Sequence, residues 1–439
     1  MTAFLERHFH ISERNSTIRR EIMGGLVTFI AMAYIIFVNP GMLSQTGMNY
    51  TAVMLATCIS AAIGTFLTAF MANVPFAQAP GMGINALFTY TLCMQNGYTW
   101  QQALGFVFIS GIIFLIITLS PLRDKIINGI PVSLKSAISV GIGLFIALIG
   151  LLNAGIITAD SNLLDLSRIT SGAPLLALIG LLITAGLLVF KVRGAILYAI
   201  LATTIIGIPM GVTNTSIALS FSDLSIAPTF FKLTLNGIFA AGVVPAITAI
   251  LTLCMCDCFD TVGTLVGCAS GCNMLDENGQ MQNKEMSRAL TADAIATCTG
   301  SLLGTSTVTT FVESSTGVSA GARTGFASII TGILFLLACF LAPIAGIVPS
   351  AATAPALIIV GVYMMANVKN IDWQDMEIAI PCFLTMAMMP FAYSISDGIG
   401  FGIISWTLIK IIRGKFKEIP ILMYILSTLF VIMYIVSGV

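Results

Sequence analysis

Two carboxylates, Asp260 and Glu313, stand in sequence that ordinarily excludes charge. Asp260 lies in Cys258-Phe259-Asp260-Thr261-Val262-Gly263-Thr264, and Glu313 in Thr309-Thr310-Phe311-Val312-Glu313-Ser314-Ser315-Thr316-Gly317. Both runs adjoin long apolar stretches and are rich in small and hydroxylated residues. A charge in hydrocarbon costs about 2.5 kcal/mol or more, so such residues face a cavity and have work to do there. Asp257 is one turn before Asp260 on the same helix face, flanked by Thr261 and Thr264. A further acid, Asp293, sits in the apolar segment 286–303 and is expected to hydrogen-bond between helices. A carboxylate accepts two N–H bonds side by side, and in low-dielectric surroundings it can take up and release a proton. No Lys or Arg falls near the centre of these segments, which argues against a bare anion as ligand. A neutral planar molecule rich in N–H donors fits better, with Phe76 or Phe311 stacking on its ring. The proton-coupling candidates are Glu313, Asp260, Asp257 and Asp293.

The elements that carry these acids must lie in a membrane. The chain has 439 residues, of which 57% are hydrophobic and only 9% charged, and its mean hydropathy is +1.00. Soluble domains carry about 25% charged residues, so the composition specifies a polytopic helical membrane protein. A net charge of +0 argues against nucleic acid as a partner. The first 21 residues are polar and show no cleavable leader, so the N-terminus is expected to stay in the cytoplasm of a plasma (inner) membrane protein. The ten Cys are scattered, and Cys254, Cys256 and Cys258 alternate too closely for a zinc site. They are expected to be reduced thiols acting as small apolar residues. No metal and no cofactor are expected beyond the proton as coupling ion.

Apolar runs of helix length occur at about 22–43, 51–72, 101–119, 132–151, 173–189 and 195–211, and again at 235–256, 286–303, 324–346, 350–366, 375–393 and 396–412. Two further segments, 76–93 and 305–321, are broken. Pro80, Gly81 and Gly83 oppose a continuous helix in the first, and the Thr/Val run 305–310 favours a short strand in the second. Non-helical backbone at membrane depth is tolerated only when it is buried in protein or lines a cavity. Counting both as crossings puts 17 of the 19 Lys and Arg residues on the N-terminal side, with only Arg168 and Lys232 opposite; the positive-inside rule demands such a bias. Lys410 through Lys417 is a basic anchor within that count. The run 420–437 is an extra, and both crossing and lying against the membrane remain open for it.

The two halves echo each other. The stretch Ala56 to Leu67 resembles Ala292 to Leu303, sharing Ala, Ile, Gly and Leu at four of twelve positions, and each precedes a broken segment. Seven segments per half invert the second half relative to the first. The fold class is therefore an all-α polytopic membrane protein of 14 segments in two inverted seven-segment repeats. Segments 3 and 10 are broken and carry short strands. The expected division is a tail 1–21, a first repeat 22–230, a second repeat 231–415 and the C-terminal apolar segment 416–439. Paired interrupted segments at matching positions point to a transporter's substrate site. Counting from Phe76 and Phe311 makes Gln78 the counterpart of Glu313, with Asn85 one to two turns on. Thr264 and Ser314 supply hydroxyls. Gly263 and Gly267 form a GxxxG that would admit another backbone, and Gly24, Gly25, Gly141 and Gly143 are expected at packing contacts. Asp397 is expected to cap the helix that follows it.

The runs Gln78 to Ala86, Phe259 to Gly267 and Glu313 to Val318, with Ala354-Pro355-Ala356-Leu357 and the opening Arg20-Glu21 to Asn39-Pro40, resemble the AzgA-like branch of the nucleobase–cation symporters over nearly the whole chain. The resemblance implies a core domain and a gate domain interleaved in sequence, two short strands meeting at the substrate site, and proton-coupled import of purine bases. It puts Asp260 and Glu313 at the two carboxylate positions that bind the base, and Phe311 and Val312 where relatives offer ring and backbone contacts. The uracil and xanthine branches carry Glu at the first position. The shorter Asp260 leaves more room, which suits a bicyclic purine. The run Gln78 to Asn85 resembles the guanine/hypoxanthine type more than the adenine type. Expected partners are a purine nucleobase and the lipid bilayer, with a second copy of the chain a candidate.

Competing readings have their own signatures. An anion or other small-solute transporter of the same fold should lack a mid-membrane Glu. An intramembrane enzyme would need a motif such as Gly-x-Gly-Asp or His-Glu-x-x-His. Neither occurs, and the only histidines, His8 and His10, are in the tail. The chain is not expected to be an enzyme.

Overall fold

The computed structural model describes residues 2–437, apart from 121–122, 124–128, 161–162, 168, 216–223, 241, 273, 275–280 and 282. Lys125 and Arg168 of the charge count, and most of the polar link after residue 272, lie outside the described residues.

A short tail helix α1 (Thr2–Phe9) precedes the first crossing, which is interrupted: α2 (Ile18–Met32) stops and α3 (Ile35–Leu43) restarts. Pro40 inside α3 cannot donate to the Ile36 carbonyl, and the backbone tightens at Ala33-Tyr34. Then come α4 (Tyr50–Ala72), strand β1 (Gln78–Pro80), and α5 (Met82–Ala86), which continues as a wider π-helical stretch, Leu87–Gln95. α6 (Trp100–Leu119), α7 (Val132–Asn153), the hairpin β2–β3 (Ile157–Asp160, Leu163–Leu166), α8 (Gly172–Val189) and α9 (Ala195–Gly207) complete the first half. The second half is α10 (Val243–Gly271), α11 (Asn283–Leu303), β4 (Val308–Thr310), α12 (Ser314–Ser319), α13 (Gly325–Ala338), α14 (Ser350–Met365), α15 (Met376–Phe391) and α16 (Ile395–Ile412). α17 (Ile421–Ser437) follows. Among the described residues nine helices are long and apolar enough to cross a membrane.

The repeat is visible in the packing. α4 packs on α13 as α11 packs on α6, α7 on α15 as α14 on α8, and α15 on α16 as α8 on α9. The two strands cross at the centre. β1 pairs antiparallel with β4, with Gln78 opposite Thr310, Ala79 opposite Thr309 and Pro80 opposite Val308. Gly81 N donates to Thr307 O and Phe311 N to Ala77 O, both at 3.0 Å, so the ladder is symmetric about Ala79 and Thr309. Gln78 and Pro80 occupy the positions whose nitrogens face away from the partner. Proline's missing donor therefore costs nothing, and Gln78 N donates instead to Thr65 Oγ1.

Several expectations are corrected. The apolar run at 235–256 is not the crossing itself. The helix starts at Val243 and runs 29 residues to Gly271, which moves Asp257 and Asp260 to its middle. Gly263 and Gly267 meet no other backbone: a Cβ at either would have nothing within 4 Å. Gly24 and Gly25 do sit in contacts, against Ala322 and Ala327, and Gly141 and Gly143 against the Met389 and Met364 side chains. Ser394, not Asp397, caps α16, accepting from Asp397 N. The hairpin β2–β3 had no counterpart in the sequence reading. The last segment runs antiparallel along α16: Ser427 Oγ donates to Thr407 Oγ1 at 2.7 Å and Tyr434 OH to the Asp397 carbonyl at 3.3 Å. It therefore spans the same depth as α16 rather than lying across the end of the bundle.

Candidate functional site

The acids separate into two layers around the strand crossing. The inner layer is Asp293, fully buried on α11. Its Oδ1 accepts from Gln78 Nε2 (3.2 Å), Thr310 N (3.1 Å) and Thr310 Oγ1 (3.3 Å), and its Oδ2 from Thr261 Oγ1 (3.0 Å). One carboxylate thus holds β1, β4 and α10 together. Thr261 Oγ1 is also 2.7 Å from Thr309 Oγ1. Asp257 belongs to this layer. It is 1% exposed, its Oδ2 accepts from Thr297 Oγ1 at 3.2 Å, and its Oδ1 has no hydrogen-bond partner among the described residues.

The outer layer faces open space. Asp260, Gly263, Gly267 and Ser270 form one exposed stripe along α10, with Thr264 half-buried beside it. Lipid-facing helix positions are large and apolar. A stripe of Asp, Gly, Gly and Ser lines a water-filled opening instead. Residues 309–312 run alongside: Cys268 Sγ is 3.8 Å from the Val312 carbonyl, and the Val312 side chain is 50% exposed. Glu313 occupies the N-terminal end of α12 but its carboxylate does not cap that helix. It turns to Tyr34, whose hydroxyl donates to Oε1 at 2.7 Å. Asp260 and Glu313 lie within range of each other's charge, as do Glu313 and Tyr363 of α14. Neither carboxylate is in an ion pair among the described residues.

The opening leads to the face that carries the N-terminal tail. Beyond the end of α10, Met274 Sδ contacts Arg14 Nη1, and Arg14 is paired with Glu285 at 2.9 Å. The opposite face is closed. Tyr90 OH donates to Gln45 Oε1 at 3.2 Å and accepts from Asn153 Nδ2 at 3.4 Å, and its ring meets Phe145 and Tyr393 edge-on. A cavity of about 410 Å³ lined by Gln45, Tyr50 and Asn153 remains on that side.

Of the residues named from sequence, Asp260, Thr264, Val312 and Glu313 border or adjoin the opening, whereas Phe311, next to Val312, is buried with its ring in the hydrophobic core. Gln78, Asn85 and Ser314 do not reach it. Gln78 is buried on Asp293 and Asn85 is buried against Ser306 Oγ. Ser314 Oγ accepts from Ala77 N at 3.0 Å and is committed to the strand. The pairing of Gln78 with Glu313 is also corrected. The symmetric ladder matches Gln78 with Val308, and Gly64 packs on Gln78 as Gly300 packs on Val308. Glu313 then falls opposite Gly83. Tyr34 was missed; its only signal was a hydroxyl inside an apolar run.

A bundle of inverted repeats with two crossed half-segments and buried acids defines a membrane permease of the transporter class. The fold is shared with the transmembrane domain of a cyanobacterial bicarbonate transporter, BicA (TM-score 0.62, 17% identity, 88% of this chain and 97% of that one). It is shared as well with the murine Solute Carrier 26 family member A9 anion transporter (TM-score 0.65, 12% identity, 94% and 72%). Residues 19–401 match the Permease family model Xan_ur_permease, and the chain belongs to that family. It is similar to the guanine/hypoxanthine permease PbuG of Bacillus subtilis, 43% identical over 98% of this chain and 99% of that one. It is also similar to the adenine permease AdeP of Escherichia coli, 39% identical over 98% and 95%.

Proposed function

We propose that the protein imports purine nucleobases, guanine and hypoxanthine ahead of adenine, by proton symport through alternating access. The observation that carries this reading is the pair Asp260 and Glu313 bordering one opening, with no cation paired to either among the described residues. Two carboxylates attract N–H donors and a proton and repel anions. The relatives' names, guanine/hypoxanthine and adenine permeases, supply the class of base. Val312, exposed beside the acids, offers an apolar surface for a ring, while Phe311 is buried behind it. In this reading the core domain, α2–α6 with α10–α13, moves against a gate of α7–α9 and α14–α16, and the open tail face is the cytoplasmic one. Asp260 or Glu313 takes the proton, while Asp293 behind them steadies the strands.

Uptake of labelled hypoxanthine, guanine, adenine, xanthine and uracil, in cells lacking their own carriers, tests it. Purine uptake that collapses with a protonophore is expected. Glu313→Gln and Asp260→Asn should each nearly abolish uptake while the protein still reaches the membrane. Uptake of none of these bases would overturn the reading, and indifference to the protonophore would remove the proton. The fold likeness to anion carriers makes bicarbonate the control solute; its transport in place of a base would favour an anion instead.

A further inference from the structure

We infer that the tail face carries a binding site for a phosphate group, formed by Arg19, Arg20 and Arg193. The three line a single cleft of about 550 Å³ together with Thr17, Met23, Ser319 and Ala320. All three are exposed, and their guanidinium groups have no hydrogen-bond or ion-pair partner among the described residues. No carboxylate among the described residues lines the cleft. The nearest acid in sequence, Glu21, is turned away and buried, accepting from Arg323 N at 2.9 Å and Thr324 N at 3.2 Å.

Unpaired guanidiniums held in one cleft repel one another, and an anion entering it relieves that cost. Arginine presents a planar fork of donors that matches phosphate oxygens two at a time. The cleft also contains the N-terminal end of α2, where Thr17 caps by accepting from Arg20 N, leaving the positive end of the helix dipole pointed at the same space. Gly321 stands beside the Arg20 stem: a Cβ added there would lie 3.5 Å from it. The site is also a bridge. Arg19 and Arg20 belong to α2 and Ser319 to α12, whereas Arg193 comes from the link between α8 and α9, which pack on α14. A phosphate held there ties together the two groups of helices on the tail face. Basic pockets between membrane helices recognise phospholipid headgroups, and the same donors accept a soluble phosphate.

The test reads binding directly and stands whether or not the chain carries purines. Purified full-length protein is titrated with inorganic phosphate and with a purine nucleoside monophosphate, the uncharged nucleoside serving as blank. Separately, retention of phosphatidylglycerol from phosphatidylglycerol/phosphatidylcholine nanodiscs is measured by native mass spectrometry. The variant is R19Q/R20Q/R193Q. R7Q/K369Q/K417Q removes the same charge from other exposed positions. Affinity or retention should fall about ten-fold or more in the first variant and stay unchanged in the second. A loss confined to the soluble arm identifies a free phosphate compound, and one confined to the nanodisc arm a headgroup. Wild-type behaviour of the first variant in both arms, or an equal loss in the second, overturns the proposal.

Discussion

Asp257 and Asp293 look alike in sequence, both acids in apolar helices, yet their surroundings assign them opposite sensitivities. Asp293 accepts four hydrogen bonds from three elements. Asp293→Asn turns an acceptor into a donor facing donors, and an unmet buried donor costs about 1–3 kcal/mol. A fall in melting temperature of several degrees, read by thermal-shift chromatography in detergent, is expected together with loss of uptake. Asp257→Asn swaps an oxygen that has no partner and should leave the melting temperature near wild type. At Glu313 the informative change is on its partner. Tyr34→Phe removes a hydroxyl at 2.7 Å from the carboxylate. A bond to a charged group is worth about 1.5–3 kcal/mol, so KM for the base should rise about ten-fold or more with surface expression unchanged. An unchanged KM would mean that Tyr34 does not orient Glu313.

At the scale of the element, much was legible because special backbone leaves chemical traces. Pro80 with Gly81 and Gly83, and the β-branched Val308-Thr309-Thr310, announced the two strands, and Asp260 and Glu313 announced themselves by their cost in lipid. Counting residues failed where the halves have drifted. Gly64 rests on Gln78 fourteen positions later, whereas Gly300 rests on Val308 only eight later, so equal spacing past a Phe gave Glu313 the wrong counterpart. Gly263 and Gly267 illustrate a second limit. Small residues permit close packing or an open lining equally well, and only the neighbours decide. Their openness is testable. Gly267→Cys should react with a membrane-impermeant maleimide applied from the tail side, and a purine base should slow the labelling. Labelling from the opposite face would mean the stripe opens the other way.

For the whole molecule, the closed face matters as much as the open one. Tyr90, Gln45 and Asn153 join the first broken segment to the turn after α3 and to α7 on the side away from the tail. Asn153→Ala removes one neutral hydrogen bond from that closure, worth about 1 kcal/mol, or roughly fivefold in the balance between conformations. Labelling of Gly267→Cys from the tail side should slow accordingly in the double variant. An unaltered rate would show that the far face does not govern the opening.

The proposed coupling of Asp260 and Glu313 to a proton has an electrical consequence. If a neutral base moves with one proton, each cycle carries one net positive charge, because the charges fixed to the protein go out and back and cancel. Such a cycle is electrogenic, and the membrane voltage itself becomes a driving force. Each 100 mV contributes about 2.3 kcal/mol per charge, enough for roughly fifty-fold accumulation of base with no pH gradient at all.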